Sequence, residues 1–167
     1  MGDLDVDVLV LSEHEAIRRA FADLEQGEDD LGARWQALAE QLEVHAAGEE
    51  AVFYPALLRD VDGSEGETAH AVHDHDEIRQ ATRAVDGQEP GSDGWWTAVR
   101  RAREVTSEHL DEEEREVLPA FREGVSSEDR AALGERGLQF HDEHARARGL
   151  SGDDVDPQAY VEEHAPD

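Results

Sequence analysis

Apolar residues recur every three or four positions along most of the chain, a spacing that places them on one face of a helix. The pattern predicts five helices, at about residues 6–26, 31–60, 67–85, 95–123 and 126–148. Glycine, proline and aspartate interrupt it at residues 62–66 and 86–94, which we therefore expect to be turns. The first four helices predict an all-α, antiparallel up-down four-helix bundle, to which the C-terminal fifth helix is added.

Ionisable residues interrupt the apolar face of each of the first four predicted helices. A histidine and a glutamate four residues apart do so in the second and fourth helices, and a single histidine does so in the first and third. The interrupting residues are His14, His45, Glu49, His75, His109 and Glu113. A buried charged group is costly unless it meets hydrogen bonds, an opposite charge or a metal ion, so these six side chains form the candidate site.

The two halves of the chain repeat this arrangement. Residues 14–18 (HEAIR) match residues 75–79 (HDEIR), and each half continues with His-x-x-x-Glu and then a proline, Pro55 or Pro119. In an antiparallel bundle the six groups meet at one axis, and four imidazoles with two carboxylates suit two metal ions, of Fe, Mn, Zn or Co. The alternative is a metal-free buried network of histidine and glutamate, which is unfavourable because it fills a low-dielectric core with titrating groups.

Composition excludes several classes of function. The formal net charge is −28 over 167 residues, which argues against nucleic acid and anionic membranes as partners. The absence of cysteine excludes disulfides, iron–sulfur clusters and thiolate zinc sites. The N-terminus is acidic and no apolar run approaches ~20 residues, so we expect a cytoplasmic protein without a signal peptide or membrane span. All fifteen basic residues are arginine, and this acidic, lysine-free surface fits either a saline cytoplasm or a biased genome.

These motifs resemble those of hemerythrin-like proteins, the HHE cation-binding domain family, over about residues 6–124. The resemblance implies a non-haem di-iron centre with an oxo or hydroxo bridge, although Zn or Mn would also fit the donors. It further implies that the four histidines are terminal ligands and that Glu49 and Glu113 bridge the two ions. Dioxygen, peroxide or nitric oxide is the implied small-molecule ligand, and no protein partner is indicated.

The chain departs from the oxygen-carrying members of that family, which have a fifth histidine one turn beyond the third-helix ligand. Arg79 stands at that position here, and the candidates for a replacement nitrogen ligand are His73, His141 and His144. An open metal position would suit decomposition of peroxide better than oxygen storage. The sequence leaves two other interpretations open: an iron- or oxygen-sensing regulatory module without turnover, and a mononuclear or dizinc site.

Several flanking features have simpler structural interpretations. Pro55 lies within the predicted second helix and is expected to kink it or end it early, and helix termination is the favoured interpretation of both Pro55 and Pro119. Tyr54 is expected to point away from the site because it lies nine residues past His45. A solvated helix face, with bonds to the ligand histidines as the alternative, is expected for the neighbouring acids Glu50, Glu112, Glu114 and Glu116. We divide the chain into a metal-binding unit at residues 1–148 and a polar, acidic, loosely ordered tail at residues 149–167.

Overall fold

The computed structural model describes residues 4–166, and every regular element in that range is helical. The α-helices are α1 Val6–Gln26, α2 Leu31–Gly48, α3 Tyr54–Asp60, α4 Glu65–Asp86, α5 Asp93–Glu112, α6 Leu118–Gly124, α7 Ser127–Glu143 and α8 Pro157–His164. One π-helical turn, Glu49–Phe53, joins α2 to α3, and a second, Glu113–Val117, joins α5 to α6. Among the described residues, no helix is long and apolar enough to cross a membrane.

The first six helices form the predicted four-helix bundle. Its four members are α1, the continuous pair α2–α3, α4, and the continuous pair α5–α6. Helix α4 packs along α5, α1 packs along α2, and further contacts join α2 to α4 and α1 to α5. The all-helical bundle that the apolar pattern predicts is therefore confirmed.

The core of the bundle consists of two apolar clusters with a polar layer between them. One cluster contains Trp35 and Trp95 and lies toward the end where α1 meets α2. The other contains Phe53 and Phe121, whose ring centroids are 4.5 Å apart. In each of the four bundle members the ionisable residues fall between positions of these two clusters, so apolar packing closes the polar layer from both sides.

The prolines do not end their helices, contrary to the expectation from sequence. Pro55 and Pro119 each lie in the first turn of a new α-helix, and the chain stays helical to Asp60 and Gly124. Proline has no N–H and its ring clashes with the carbonyl four residues earlier in a regular α-helix. In the π-helical turn before each proline, the backbone hydrogen bonds join residues five apart instead of four. The turn therefore holds one extra residue, and the helix continues past the proline.

The predicted fifth helix is present as α7 but is shorter than expected. The Ser126 side chain accepts a hydrogen bond from the Asp129 amide and caps its N-terminus, as a Ser-Ser-Glu-Asp segment predicts. The helix ends at Glu143 rather than near residue 148. It ends early because Arg146 and Ala147 adopt left-handed backbone angles, with φ of 59° and 57°, that no α-helix contains.

The expectation of a loosely ordered tail is wrong for the described part of the chain. The Asp156 side chain caps helix α8 by accepting a hydrogen bond from the Ala159 amide at 2.7 Å. Tyr160 and Val161 are buried, and the Tyr160 hydroxyl donates to the backbone carbonyl of Glu50, at 2.5 Å. The acidic composition of this segment predicts disorder, although Asp-Pro at its start is a recognisable signal for the N-terminus of a helix.

Replacing Tyr160 by alanine is expected to lower the free energy of unfolding by about 2 kcal/mol, because it removes a buried ring and a buried hydrogen bond. Urea unfolding followed by circular dichroism measures the change. The matched control is Leu138→Ala, which removes an apolar side chain that is 44% exposed on α7 and should cost less than about 0.5 kcal/mol. Equally small losses from both variants would contradict a packed α8.

Candidate metal centre

All six side chains singled out in the sequence lie together in the polar layer of the bundle. None is more than 4% exposed. They are His14 on α1, His45 on α2, His75 on α4, His109 on α5, and Glu49 and Glu113, which are the first residues of the two π-helical turns. The periodicity argument thus placed every one of them on the correct face.

The six side chains form two overlapping groups of donor atoms. His14, His45, Glu49 and Glu113 make one group, and His75 and His109 join the same Glu49 in the other; within each group the donors lie within 4.8 Å of one another. Glu49 reaches both groups with different oxygens: Oε1 lies 3.4 Å from His45 Nε2, and Oε2 lies 3.1 Å from His75 Nε2. A carboxylate in that position is suited to bridging two cations.

The donors of the first group fit a metal ion, because their inward atoms lack other partners. In this group four buried atoms have no hydrogen-bond partner among the described residues: His14 Nε2, His45 Nε2, Glu49 Oε1 and Glu113 Oε2. Buried polar atoms are normally satisfied, and a missing ion or water is a standard explanation when they are not. Two nitrogens and two oxygens, all borderline or hard donors, match the preferences of Fe, Mn, Zn or Co.

A carboxylate contacts the outer nitrogen of each of the four histidines. The Nδ1–H groups donate to Glu114 from His14 at 2.9 Å, to Glu13 from His45 at 2.7 Å, and to Glu50 from His75 at 2.9 Å. For His109, Asp74 Oδ2 lies 3.4 Å from Nδ1. This arrangement fixes the tautomer that leaves each Nε2 lone pair facing the centre, as histidines that bind metals require.

Two of these outer carboxylates are held by arginines, and one of the two arginines is Arg79. Its guanidinium donates to both oxygens of Glu50 at 3.0 Å and is only 6% exposed. Arg18 likewise donates to Glu114 at 2.7 Å. Glu50 and Glu114 therefore orient the histidines of the site rather than forming a solvated face. Arg79, at the position where oxygen carriers have a ligand histidine, holds the carboxylate of Glu50 against His75.

Tyr54 lies at the centre of the site, contrary to the expectation from sequence. Its side chain is fully buried, and its hydroxyl lies 3.1 Å from Glu49 Oε2, 3.0 Å from Glu113 Oε1 and 3.4 Å from His75 Nε2. The expectation assumed a straight α-helix after His45. The extra residue of the π-helical turn rotates Tyr54 by about 100° toward the core, and a proline just past His-x-x-x-Glu was the available signal.

The three histidines considered as a fifth nitrogen ligand lie outside both donor groups. His73 is exposed on α4. The Nδ1–H of His144 donates to the backbone carbonyl oxygen of Arg148, at 2.9 Å. His141 is 31% exposed and contacts Glu13, whose other oxygen accepts from His45.

The carboxylates of the cluster favour protonated imidazoles when no cation is bound, because they raise the pKa of the histidines. Burial by itself would lower the pKa of His14, but Glu113 and Glu49 outweigh it and raise the pKa to about 10. The pKa of His109 is also raised to about 10, against burial, by Asp74 and Glu49. Burial and both glutamates hold the pKa of Tyr54 well above its usual range, and a bound cation would take the place of these protons.

Two depressions in the surface approach the site from opposite halves. A cleft of about 620 Å³ between α1, α2 and α7 reaches His45 and Glu13. A small crevice between α4 and α5 reaches His109 and Glu113. Since the six donors are almost wholly buried, only small molecules would reach them from either side.

Comparison with known proteins agrees with this geometry. Residues 6–121 match the family described as Hemerythrin HHE cation binding domain. The chain is also 24% identical over 128 residues to a DNA nickase from Nostoc sp. (strain PCC 7120), an alignment covering 75% of this chain and 36% of that protein. The chain therefore spans about a third of that relative's length. No solved structure matches the chain.

The metal-free protein is expected to lose stability between pH 6.5 and about 10. Imidazoles whose pKa is raised on folding stabilise the fold fully below their unfolded pKa, near 6.5, and this contribution disappears as pH rises through their folded pKa of about 10. Metal binding should strengthen over the same range, because protons no longer compete. Urea unfolding of chelator-treated protein at pH 6 and pH 9, with and without added Zn²⁺, measures both trends.

The control for this pH dependence is a pair of histidine substitutions. His109→Asn should reduce the loss of metal-free stability between the two pH values, whereas His73→Asn, at an exposed position, should leave it unchanged. Metal-free stability that stays level or rises from pH 6 to pH 9 would contradict the protonated cluster.

Proposed function

The chain belongs to the hemerythrin HHE cation-binding family, and from this premise we propose that it holds two iron ions and binds or reacts with dioxygen or peroxide. The observation that carries the proposal is the pair of donor groups that share Glu49, with four inward atoms lacking other partners. The four atoms belong to the first group, which one ion would use, and the second group places His75 and His109 around the other oxygen of Glu49. Two ions bridged by Glu49 use both.

The two halves of the site offer different ligands to the two ions. His14 and His45 would hold one ion, and His75 and His109 the other, with Glu49 and Glu113 between them. Tyr54 would supply an additional oxygen on the His75 side, because its hydroxyl lies 3.4 Å from His75 Nε2. The corresponding residue of the other half is Leu118, which has no donor, so the two ions would differ in their coordination.

Iron held by these residues would supply reversible oxidation and a Lewis acid for binding dioxygen or peroxide. The chain's own residues prepare the site for it. The apolar clusters above and below exclude bulk water, and the outer carboxylates fix each imidazole. Tyr54 holds a proton between the two glutamates, within reach of anything that enters the centre.

A sensing function is the second candidate, and a specific contact supports it. Tyr160 of α8 donates to the backbone carbonyl of Glu50, next to Glu49 in the first π-helical turn. A change in that turn on metal or ligand binding would alter the position of α8, and a partner protein that contacts α8 would detect the change. Nitric oxide is a further possible ligand for such a sensor.

Cleavage of DNA is not proposed, despite the similarity to the nickase. The net charge of −28 repels a phosphate backbone, and the alignment covers 36% of that protein. The similarity therefore carries no activity over to this chain.

Iron analysis together with absorption spectra under dioxygen, peroxide and azide tests the di-iron proposal. Purified protein loaded with iron should contain about two ions per chain, consume peroxide, and show visible absorption that a zinc site would lack. Glu113→Ala should lose the paired site, because it removes a donor that faces His14 at 3.2 Å. The matched control is Glu116→Ala, three residues away and exposed, which should keep parental iron content.

Other results of the same measurements separate the alternatives. Fewer than about one iron per chain, or equal losses from both variants, would overturn the proposal. Colourless protein with two zinc ions would favour a dizinc site. Two bound irons without peroxide turnover, accompanied by an iron-dependent change in hydrogen exchange of α8, would favour sensing.

Tyr54→Phe tests the additional oxygen donor, because it removes only the hydroxyl. We expect one of the two irons to bind at least about tenfold more weakly while the other is retained, since the lost oxygen serves one donor group. Metal titration measures the two affinities. Tyr160→Phe removes the other buried tyrosine hydroxyl, which bonds to the backbone carbonyl of Glu50 and offers no metal ligand, so its iron affinities should stay parental under the di-iron proposal; weaker binding there would favour the sensing function. Unchanged binding in Tyr54→Phe would contradict the assignment.

A further inference from the structure

Each ligand histidine is supported by two successive layers, first a carboxylate and then a basic side chain. In one pair of equivalent positions the basic side chain is an arginine: Arg18 holds Glu114 beyond His14, and Arg79 holds Glu50 beyond His75. The internal repeat explains the pairing, because residues 14–18 and 75–79 match. Two halves of one repeat therefore support these histidines in the same way.

The other pair of equivalent positions is not supported in the same way. The alignment that matches His14 with His75 also matches Glu13 with Asp74, the carboxylates beyond His45 and His109. Asp74 has a histidine one turn earlier on its own helix, His70, whose Nε2 lies 3.7 Å from Asp74 Oδ2. The position equivalent to His70 on α1 is Leu9, which has an apolar side chain, so the bundle repeat provides no basic partner there for Glu13.

Helix α7 supplies the missing basic side chain, His141, from outside the repeat. His141 Nε2 lies 2.7 Å from Glu13 Oε1, and the other oxygen of Glu13 accepts from His45 Nδ1, also at 2.7 Å. The close packing of α7 depends on Gly134, where a Cβ would overlap the backbone carbonyl oxygen of Leu4. The segment that matches the family ends at residue 121, before α7 begins.

We propose that His141 is a positioning residue of the metal centre, acting on His45 through Glu13, and that α7 is thereby a functional part of the site. This inference rests on the proposed metal-binding function. His141 holds one oxygen of Glu13, so the other oxygen stays on His45 Nδ1 and the imidazole keeps Nε2 toward Glu49. Without His141, Glu13 faces the open cleft between α1, α2 and α7 and is free to turn toward solvent.

The test measures metal affinity rather than activity. The full chain and its variants are loaded with Fe²⁺ without oxygen, and the bound ions are competed with a chromogenic chelator. His141→Ala should bind about tenfold more weakly, the loss typical of residues that orient metal ligands. His141→Gln should recover affinity to within about twofold, because its amide N–H can donate to Glu13. His144→Ala, on the same segment but bonded to Arg148, should match the parent.

Each other outcome has a defined meaning. Parental affinity in His141→Ala overturns the inference, and so does an equal loss in His144→Ala, which would attribute the effect to docking of α7 in general. Failure of glutamine to recover affinity, with unfolding of the metal-free variants unchanged, also overturns it. The same comparison with Zn²⁺ separates the two proposals: a parent that takes up Zn²⁺ but not iron refutes the di-iron function, while weaker Zn²⁺ binding in His141→Ala still supports the role of His141.

Discussion

Burial of four imidazoles and two carboxylates in one small volume is the constraint on which the rest of this structure depends. Removing such groups from water costs several kcal/mol each unless they find compensation in the interior. Protons provide part of it, which is why His14 and His109 have pKa values of about 10. In the first donor group four inward atoms still have no hydrogen-bond partner, so a cation bound there would compensate the burial more completely.

The π-helical turns adapt a regular bundle to this task. Each begins at a glutamate of the site and is followed by a proline, so the turn that relieves the proline clash also sets the direction of the residues after it. In the first half the redirected residue is Tyr54, and in the second half the equivalent is Leu118. A duplicated backbone thus carries an unsymmetrical centre, with an extra oxygen on one side only.

The side chains around the six donors follow the internal repeat less closely the farther they lie from the centre. The six donors follow the internal repeat, and so do the four outer carboxylates, since each contacts a histidine Nδ1 in equivalent fashion. The next layer departs from it, because His141 comes from α7 and His70 from α4. Helix α8 adds a contact to the first π-helical turn through Tyr160. The elements beyond the bundle therefore touch the site from outside rather than merely covering apolar surface.

The sequence by itself determined the bundle and the six ionisable side chains buried in its core, because both follow from local periodicity: a polar residue on an apolar helical face is visible in any single chain. Tertiary structure alone decided the positions of Tyr54, Arg79, His141 and α8. Tyr54 depends on a π-helical turn that breaks the period of the α-helix, and the Arg79 and His141 pairings join residues distant in sequence. Such contacts leave no periodic signal, because they depend on how separate helices pack rather than on how any one of them repeats.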